Sequence, residues 1–70
     1  MSMRIHNITI ADRIKEYRLK NNLSQGRFGS ILGVSAQAVY KWERELCYPD
    51  IVLLPELARV LGCRVDDFFE

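Results

Sequence analysis

Apolar side chains recur every three or four residues along most of this 70-residue chain, a spacing typical of short amphipathic helices. The pattern predicts an all-α fold, a compact bundle of about five short helices. The predicted helices span residues 10 to about 21, 25–32, 36 to about 45, 51–61 and 65–69. Pro55 interrupts the fourth, so that helix either begins near Leu54 or has a distorted first turn. Residues 1–8 are predicted to be a lead-in and residues 9–70 a single domain.

Residues 25–44 predict two short helices joined by a corner, with a suitable residue at each special position. Gly33 can take a positive φ without steric cost, as a tight helix–helix corner requires. Gly29 lies on the inner face, where a larger side chain would hold the helices apart. Ser35 stands where the N-cap of the second helix belongs. This pattern is typical of a helix-turn-helix, whose second helix is built to enter the DNA major groove.

Four further motifs follow one another in order and carry a resemblance. They are Leu23-Ser24-Gln25, Leu32-Gly33-Val34-Ser35, Trp42-Glu43-Arg44 and Pro49-Asp50-Ile51. With them, residues 10–69 resemble the Cro/CI-type (Xre) family of bacterial and phage regulators. The resemblance implies a lambda-repressor-like domain that binds double-stranded DNA and regulates transcription, as a repressor. It also implies a homodimer on a palindromic operator, with helix 36–45 in the major groove.

Charge is divided unevenly along the chain, although the net charge is only +1. Residues 1–45 carry eight Lys and Arg against four Asp and Glu, whereas residues 46–70 carry two against five. An uneven field of this kind orients one face of a protein toward phosphates. Ordinary scatter of surface charge remains the alternative explanation.

The outward face of the predicted recognition helix supplies the candidate base contacts. Val39 and Trp42 are expected in the core, so the other face should be free. Gln37 can pair with adenine through two hydrogen bonds, and Lys41 can donate to guanine or to a phosphate. Ala36 can touch a thymine methyl group. A plain solvated face is the alternative for these residues.

Phosphate contacts are expected around the start of the second helix and along the edge of the third. The candidates are Gln25, Arg27, Ser35, Tyr40 and Arg44. The resemblance implies the DNA-backbone role of Gln25 and Arg44. Tyr40 suits a phosphate contact or partner packing equally well. By resemblance too, Arg18 and Glu43 match positions that form a structural ion pair between the first helix and the end of the recognition helix.

Apolar residues left over in the C-terminal third are candidates for a homodimer interface. They are Val52, Leu53, Phe68 and Phe69. Family members pair two DNA-binding heads about 34 Å apart across one turn of the double helix. The alternative, which applies to Phe68 in particular, is that these side chains close the core of a single copy.

Residues for catalysis, metal binding or export are missing from the sequence. It has one histidine, His6, and two cysteines, Cys47 and Cys63, which do not form a metal-like pair. We therefore expect no enzyme activity, no metal, no cofactor and two reduced thiols, with a redox or metal switch as the alternative. No apolar run approaches the roughly 20 residues of a membrane span, so a cytoplasmic location without membrane contact is predicted.

Three alternatives keep the same fold. The chain could be the antitoxin of a toxin–antitoxin pair, a protein-interaction module without DNA binding, or the DNA-binding head of a longer protein, so a toxin or an effector domain is a further candidate partner. Two positions depart from the family pattern. Gly26 replaces a helix former, and Glu45 replaces a glycine, so we expect the third helix to lack a left-handed cap.

Overall fold

The computed structural model describes residues 8–69, so most of the predicted lead-in, including His6, lies outside the described residues, as does Glu70. Four α-helices and two short 3₁₀ turns form the domain in that range. The helices are α1 (Ile10–Lys20), α2 (Gln25–Leu32), α3 (Ala36–Glu43) and α4 (Leu54–Leu61), and the turns are Ile51–Leu53 and Val65–Phe68. The predicted all-α bundle is confirmed. None of these helices is long and apolar enough to cross a membrane.

The predicted fourth and fifth helices differ from those observed. The fourth α-helix begins at Leu54, behind a 3₁₀ turn, and Asp50 makes no side-chain capping hydrogen bond. Pro55 lies in the first turn of α4, where a missing N–H breaks no helical hydrogen bond. The fifth element is a 3₁₀ turn alone, and α3 ends at Glu43 rather than near Glu45.

The core is formed where α1, α2, α3, α4 and the last turn meet. Its fully buried side chains, from largest to smallest, are Phe28, Phe68, Ile14, Leu57 and Val39. Tyr17 packs edge-on against Phe28, with ring centroids 5.9 Å apart. The apolar residues that recur at helical spacing in α1, α2 and α3 therefore pack into one common core.

All four α-helices end in the same backbone arrangement. A residue with positive φ stands at the C-cap of α2 and α4 and one position after the C-cap of α1 and α3. The N–H that follows it donates to a carbonyl five residues back, as in the Schellman motif. The positive-φ residues are Asn22, Gly33, Glu45 and Gly62. The expectation for Glu45 was wrong, because Glu45 takes φ of 59° and completes the motif in spite of its side chain. A left-handed conformation costs such a residue roughly 1–2 kcal/mol.

The two ends of the described chain are joined by hydrogen bonds. The Thr9 N–H donates to the Phe68 carbonyl at 2.9 Å, and Ile8 forms an antiparallel bridge with Phe69. The Thr9 hydroxyl donates to the Asp67 carbonyl at 3.0 Å. These bonds hold the last 3₁₀ turn against the start of α1, with Phe68 beneath it.

Candidate nucleic-acid interface

The corner between α2 and α3 is as tight as the sequence predicts. A Cβ atom on Gly29 would lie 2.6 Å from the Val34 carbonyl oxygen, closer than van der Waals contact allows. Gly33 turns the chain with φ of 76°. The Ser35 hydroxyl accepts from the Ala38 N–H at 3.1 Å and caps α3. Gly29, Gly33 and Ser35 therefore set the angle between α2 and α3.

One face of α3 is anchored in the core, and the other is open to solvent. Val39 is fully buried and Trp42 is 6% exposed. The residues predicted for the outer face are all exposed, and they are Ser35, Ala36, Gln37, Tyr40, Lys41 and Arg44. The structure thus brings the candidate base contacts and three candidate phosphate contacts together on one surface.

The expected ion pair between Arg18 and Glu43 is present and bidentate. Arg18 Nε donates to Glu43 Oε2 at 2.7 Å, and Nη2 donates to Oε1 at 3.0 Å. Arg18 Nη1 also donates to the Leu23 carbonyl at 3.1 Å. The side chains are only 15% and 5% exposed. The hydrogen bonds to Glu43 raise the pKa of Arg18 against the opposing effect of burial. The Arg18–Glu43 pair therefore ties α1 to the end of α3.

Gln25 makes a contact that the sequence did not predict. Its side-chain amide Nε2 donates to Glu43 Oε1 at 3.3 Å, from the first turn of α2. Glu43 therefore accepts hydrogen bonds from both Arg18 and Gln25. These partners are 25 and 18 residues away along the chain, so no local pattern signals the contact. Arg27, the other candidate at this end of α2, is exposed.

The exposed apolar residues lie in a different place from the one predicted. Phe68 is fully buried in the domain's own core, so it offers no surface to a second copy, and Leu53 is half-buried against that core. Val52 and Phe69 are exposed, at 82% and 43%. The corrected set of dimer candidates therefore keeps only Val52 and Phe69 as surface residues.

An apolar groove lies between the start of the described chain and residues 48–54, and the sequence reasoning missed it. Its volume is about 320 Å³, and its lining residues are Ile8, Ile10, Tyr48, Pro49, Ile51, Leu54 and Phe69. The helix predicted over residues 51–61 would place Ile51 on its inner face with Leu54, but Ile51 lies in the 3₁₀ turn and is 79% exposed. The available signal was the high apolar content of residues 46–53.

The cysteines are free and play no part in this surface. Cys47 is exposed and Cys63 is half-buried. Burial raises the pKa of the Cys63 thiol, which favours its protonated form. Within residues 8–69, no group of three or more His, Cys, Asp or Glu side chains is arranged to hold a metal ion.

A short helix held in a corner by α2, braced by α1 and exposed along one polar face, defines a helix-turn-helix domain. A family model described as helix-turn-helix matches residues 14–68. The chain belongs to this helix-turn-helix family, and the resemblance to Cro/CI-type regulators is confirmed.

Two further similarities are to a transcriptional regulator and to a repressor. An uncharacterized HTH-type transcriptional regulator of Archaeoglobus fulgidus is 32% identical over 57 residues, 81% of this chain and 80% of that protein. The P22 c2 repressor, solved in complex with synthetic operator 9T, matches with a TM-score of 0.75 and 32% identity. That match covers 84% of this chain and 89% of the repressor chain.

The fold also occurs within an enzyme. Hydroxypropylphosphonic acid epoxidase from S. wedmorenis matches 97% of this chain with a TM-score of 0.70, but the match covers 36% of the enzyme at 22% identity. This similarity concerns the fold alone.

Proposed function

We propose that this protein is a sequence-specific DNA-binding transcriptional regulator, a repressor that places α3 in the major groove. One observation carries the proposal: the outer face of α3 is polar and exposed, while its inner face is anchored by Val39 and Trp42. The family match and the similarity to a repressor solved with a synthetic operator support it. The proposal includes a cytoplasmic location, where such a regulator meets its DNA.

Base reading is assigned to Gln37 and Lys41, with Ala36 in support. Gln37 and Lys41 are four residues apart on α3, so their side chains share one face of the helix. An amide side chain can bond adenine through two hydrogen bonds, and a lysine can donate to the O6 and N7 atoms of guanine. These contacts would discriminate between sequences, which phosphate contacts do not do.

Phosphate binding is assigned to Gln25, Arg27, Ser35 and Arg44, with Tyr40 beside Arg44 on the same surface. The amide of Gln25 has two hydrogens and gives one to Glu43, so the second is available for a phosphate oxygen. Arg18 neutralises the Glu43 carboxylate beside it, which would otherwise repel the DNA backbone. The Ser35 hydroxyl accepts the capping bond from Ala38 and can donate its own hydrogen to a phosphate.

We assign homodimerisation to the apolar groove and the exposed residues beside it. A two-fold interface uses the same patch on both copies, so the patch must be complementary to itself. Val52 is 82% exposed and directly follows Ile51, which lines a groove of about 320 Å³. An exposed apolar side chain and an apolar recess in the same short segment suit such an interface. A dimer of this kind would present two copies of α3 to the two halves of a palindromic operator.

The proposal is tested by the binding of the purified chain to DNA upstream of its own gene, measured by fluorescence anisotropy at several salt concentrations. We expect Gln37→Ala and Lys41→Ala each to lose about 1–3 kcal/mol of specific binding. The logarithm of the association constant should fall linearly with the logarithm of the salt concentration. Arg59→Ala is the matched control, because it removes one exposed positive charge from α4, outside the assigned surface.

Other outcomes would contradict the proposal. Specific binding that is unaffected by both substitutions overturns the assignment of α3. A co-purifying small protein indicates an antitoxin, and an absence of salt-dependent DNA binding indicates a protein-interaction module.

A further inference from the structure

Tyr40 and Arg44 form a pair on the exposed face of α3. The guanidinium carbon of Arg44 lies 5.7 Å from the centroid of the Tyr40 ring. The two residues are four positions apart, the spacing at which helical side chains meet. A cation within about 6 Å of an aromatic centroid is attracted by the π-electrons of the ring.

The pair matters because Arg44 is otherwise weakly held. Arg44 follows the last residue of α3 as its C-cap and is exposed. The carboxylate next to it, that of Glu43, is occupied by Arg18 and Gln25. Within residues 8–69, Arg44 takes part in no salt bridge. The ring of Tyr40 is thus the group that limits the directions in which its guanidinium points.

We propose that Tyr40 is a positioning residue for Arg44, one that holds the guanidinium ready for a phosphate of the DNA backbone. This inference rests on the proposed function and deepens it. A long arginine side chain loses rotational freedom when it binds, and a side chain that is already restrained loses less. Tyr40 then acts through its ring and not through its hydroxyl, and it raises affinity for every sequence alike.

Two substitutions separate the ring from the hydroxyl. Tyr40→Phe keeps the aromatic face, and Tyr40→Leu removes it while keeping an apolar side chain. Affinity for a mixed-sequence duplex at low salt is the readout, because phosphate contacts need no operator. We expect Tyr40→Phe to bind within about twofold of the unmodified chain, and Tyr40→Leu to bind about two- to fivefold more weakly.

A double-mutant cycle with Arg44→Ala tests whether the two residues act together. Tyr40→Leu should have no further effect on affinity once Arg44 is alanine, because the ring then has nothing to position. The thermal midpoint of each variant is measured alongside, since a purely structural role would lower the midpoint and leave the two effects on binding additive. Additive losses, or a Tyr40→Phe loss equal to that of Tyr40→Leu, would overturn the proposal.

An NMR measurement on the free protein separates this inference from the proposed function. The Arg44 side-chain protons should show an upfield ring-current shift in the unmodified chain and in Tyr40→Phe, and should lose it in Tyr40→Leu. If the unmodified chain lacks the shift, the positioning role is wrong even where DNA binding is intact. If the shift is present but the unmodified chain shows no salt-dependent DNA binding, the proposed function is wrong and this role is overturned with it.

Discussion

The two connections of α3 are built in opposite ways. The connection before it, residues 33–35, turns on a glycine with positive φ, a close backbone approach at Gly29 and a serine cap. The connection after it, residues 44–53, turns on a glutamate with positive φ and exposes several large apolar side chains. They are Leu46, Tyr48, Ile51 and Val52.

The connection before α3 must therefore be rigid, whereas the connection after α3 need not be. The connection before α3 sets the angle at which the exposed face is presented, so small errors there would move every candidate base contact. The connection after α3 is not needed for that angle, because Trp42 and the Arg18–Glu43 pair already hold the end of the helix. The exposed apolar residues of this connection are therefore available for a protein–protein interface.

The largest predicted effect breaks the connection before α3. Gly29→Ala should destabilise the domain by about 3 kcal/mol or more, because the new Cβ would meet the Val34 and Ser35 carbonyl oxygens at 2.6 and 3.1 Å. Urea denaturation followed by circular dichroism gives the free energy of unfolding.

Gly26→Ala is the matched control for this change. Its Cβ would meet ordinary contacts, 3.7 Å from the Ala36 Cβ and 3.9 Å from the Ser24 Oγ. Removal of a glycine from a helix should then stabilise the domain by about 0.5–1 kcal/mol. Equal effects of the two alanines would show that the close approach at Gly29 is not what limits the corner.

The next largest effect concerns the ion pair that braces α3. Glu43→Leu should destabilise the domain by about 2–3 kcal/mol, because the Arg18 side chain is only 15% exposed and would lose its carboxylate partner. The double variant Arg18→Met/Glu43→Leu should recover part of this loss, since no unpaired charge remains. A single-variant loss below about 0.5 kcal/mol, as for surface pairs, would contradict the role of the brace.

Much of the connection before α3 could be predicted from sequence, because its signals are local. Ser24 and Gly33 bound α2 at the predicted residues, and a serine or a glycine acts on backbone within a few positions of itself. In α1, by contrast, the apolar spacing predicts that Leu19 faces inward, but Leu19 is 58% exposed and Ala11 is buried. Helical spacing therefore predicts which residues face inward only to within one or two positions.

The other features could not be predicted from the sequence, because they depend on tertiary contacts or because two local signals conflict. The Gln25–Glu43 bond joins residues brought together only by the packing of α2 against the end of α3. Residues 51–53 carry a helical pattern but form a 3₁₀ turn, with Pro55 just beyond it. Glu45 takes the left-handed conformation because the chain must turn there whichever residue is present.

A smaller effect is expected at the positive-φ residue of each connection, Gly33 before α3 and Glu45 after it. Gly33→Ala should cost about 1 kcal/mol although nothing lies within 4 Å of the new Cβ, because φ is 76° there. Glu45→Gly should do the reverse and stabilise the domain by up to about 1 kcal/mol. Thermal unfolding of both variants is the measurement, and a Glu45→Gly variant that is less stable would indicate that the glutamate side chain holds this turn.

The smallest effect on stability is expected at Val52, where a change should act on association alone. Val52→Asp should alter the free energy of unfolding by no more than about 0.5 kcal/mol, because the side chain is 82% exposed. Sedimentation equilibrium should nevertheless show weaker self-association, since each two-fold pair would bring two carboxylates toward an apolar groove. Leu19→Asp, an exposed apolar position on α1, is the control and should leave association unchanged. An unmodified chain that stays monomeric, or a Val52→Asp variant that pairs as tightly as the unmodified chain, would mean that the connection after α3 serves something other than a second copy.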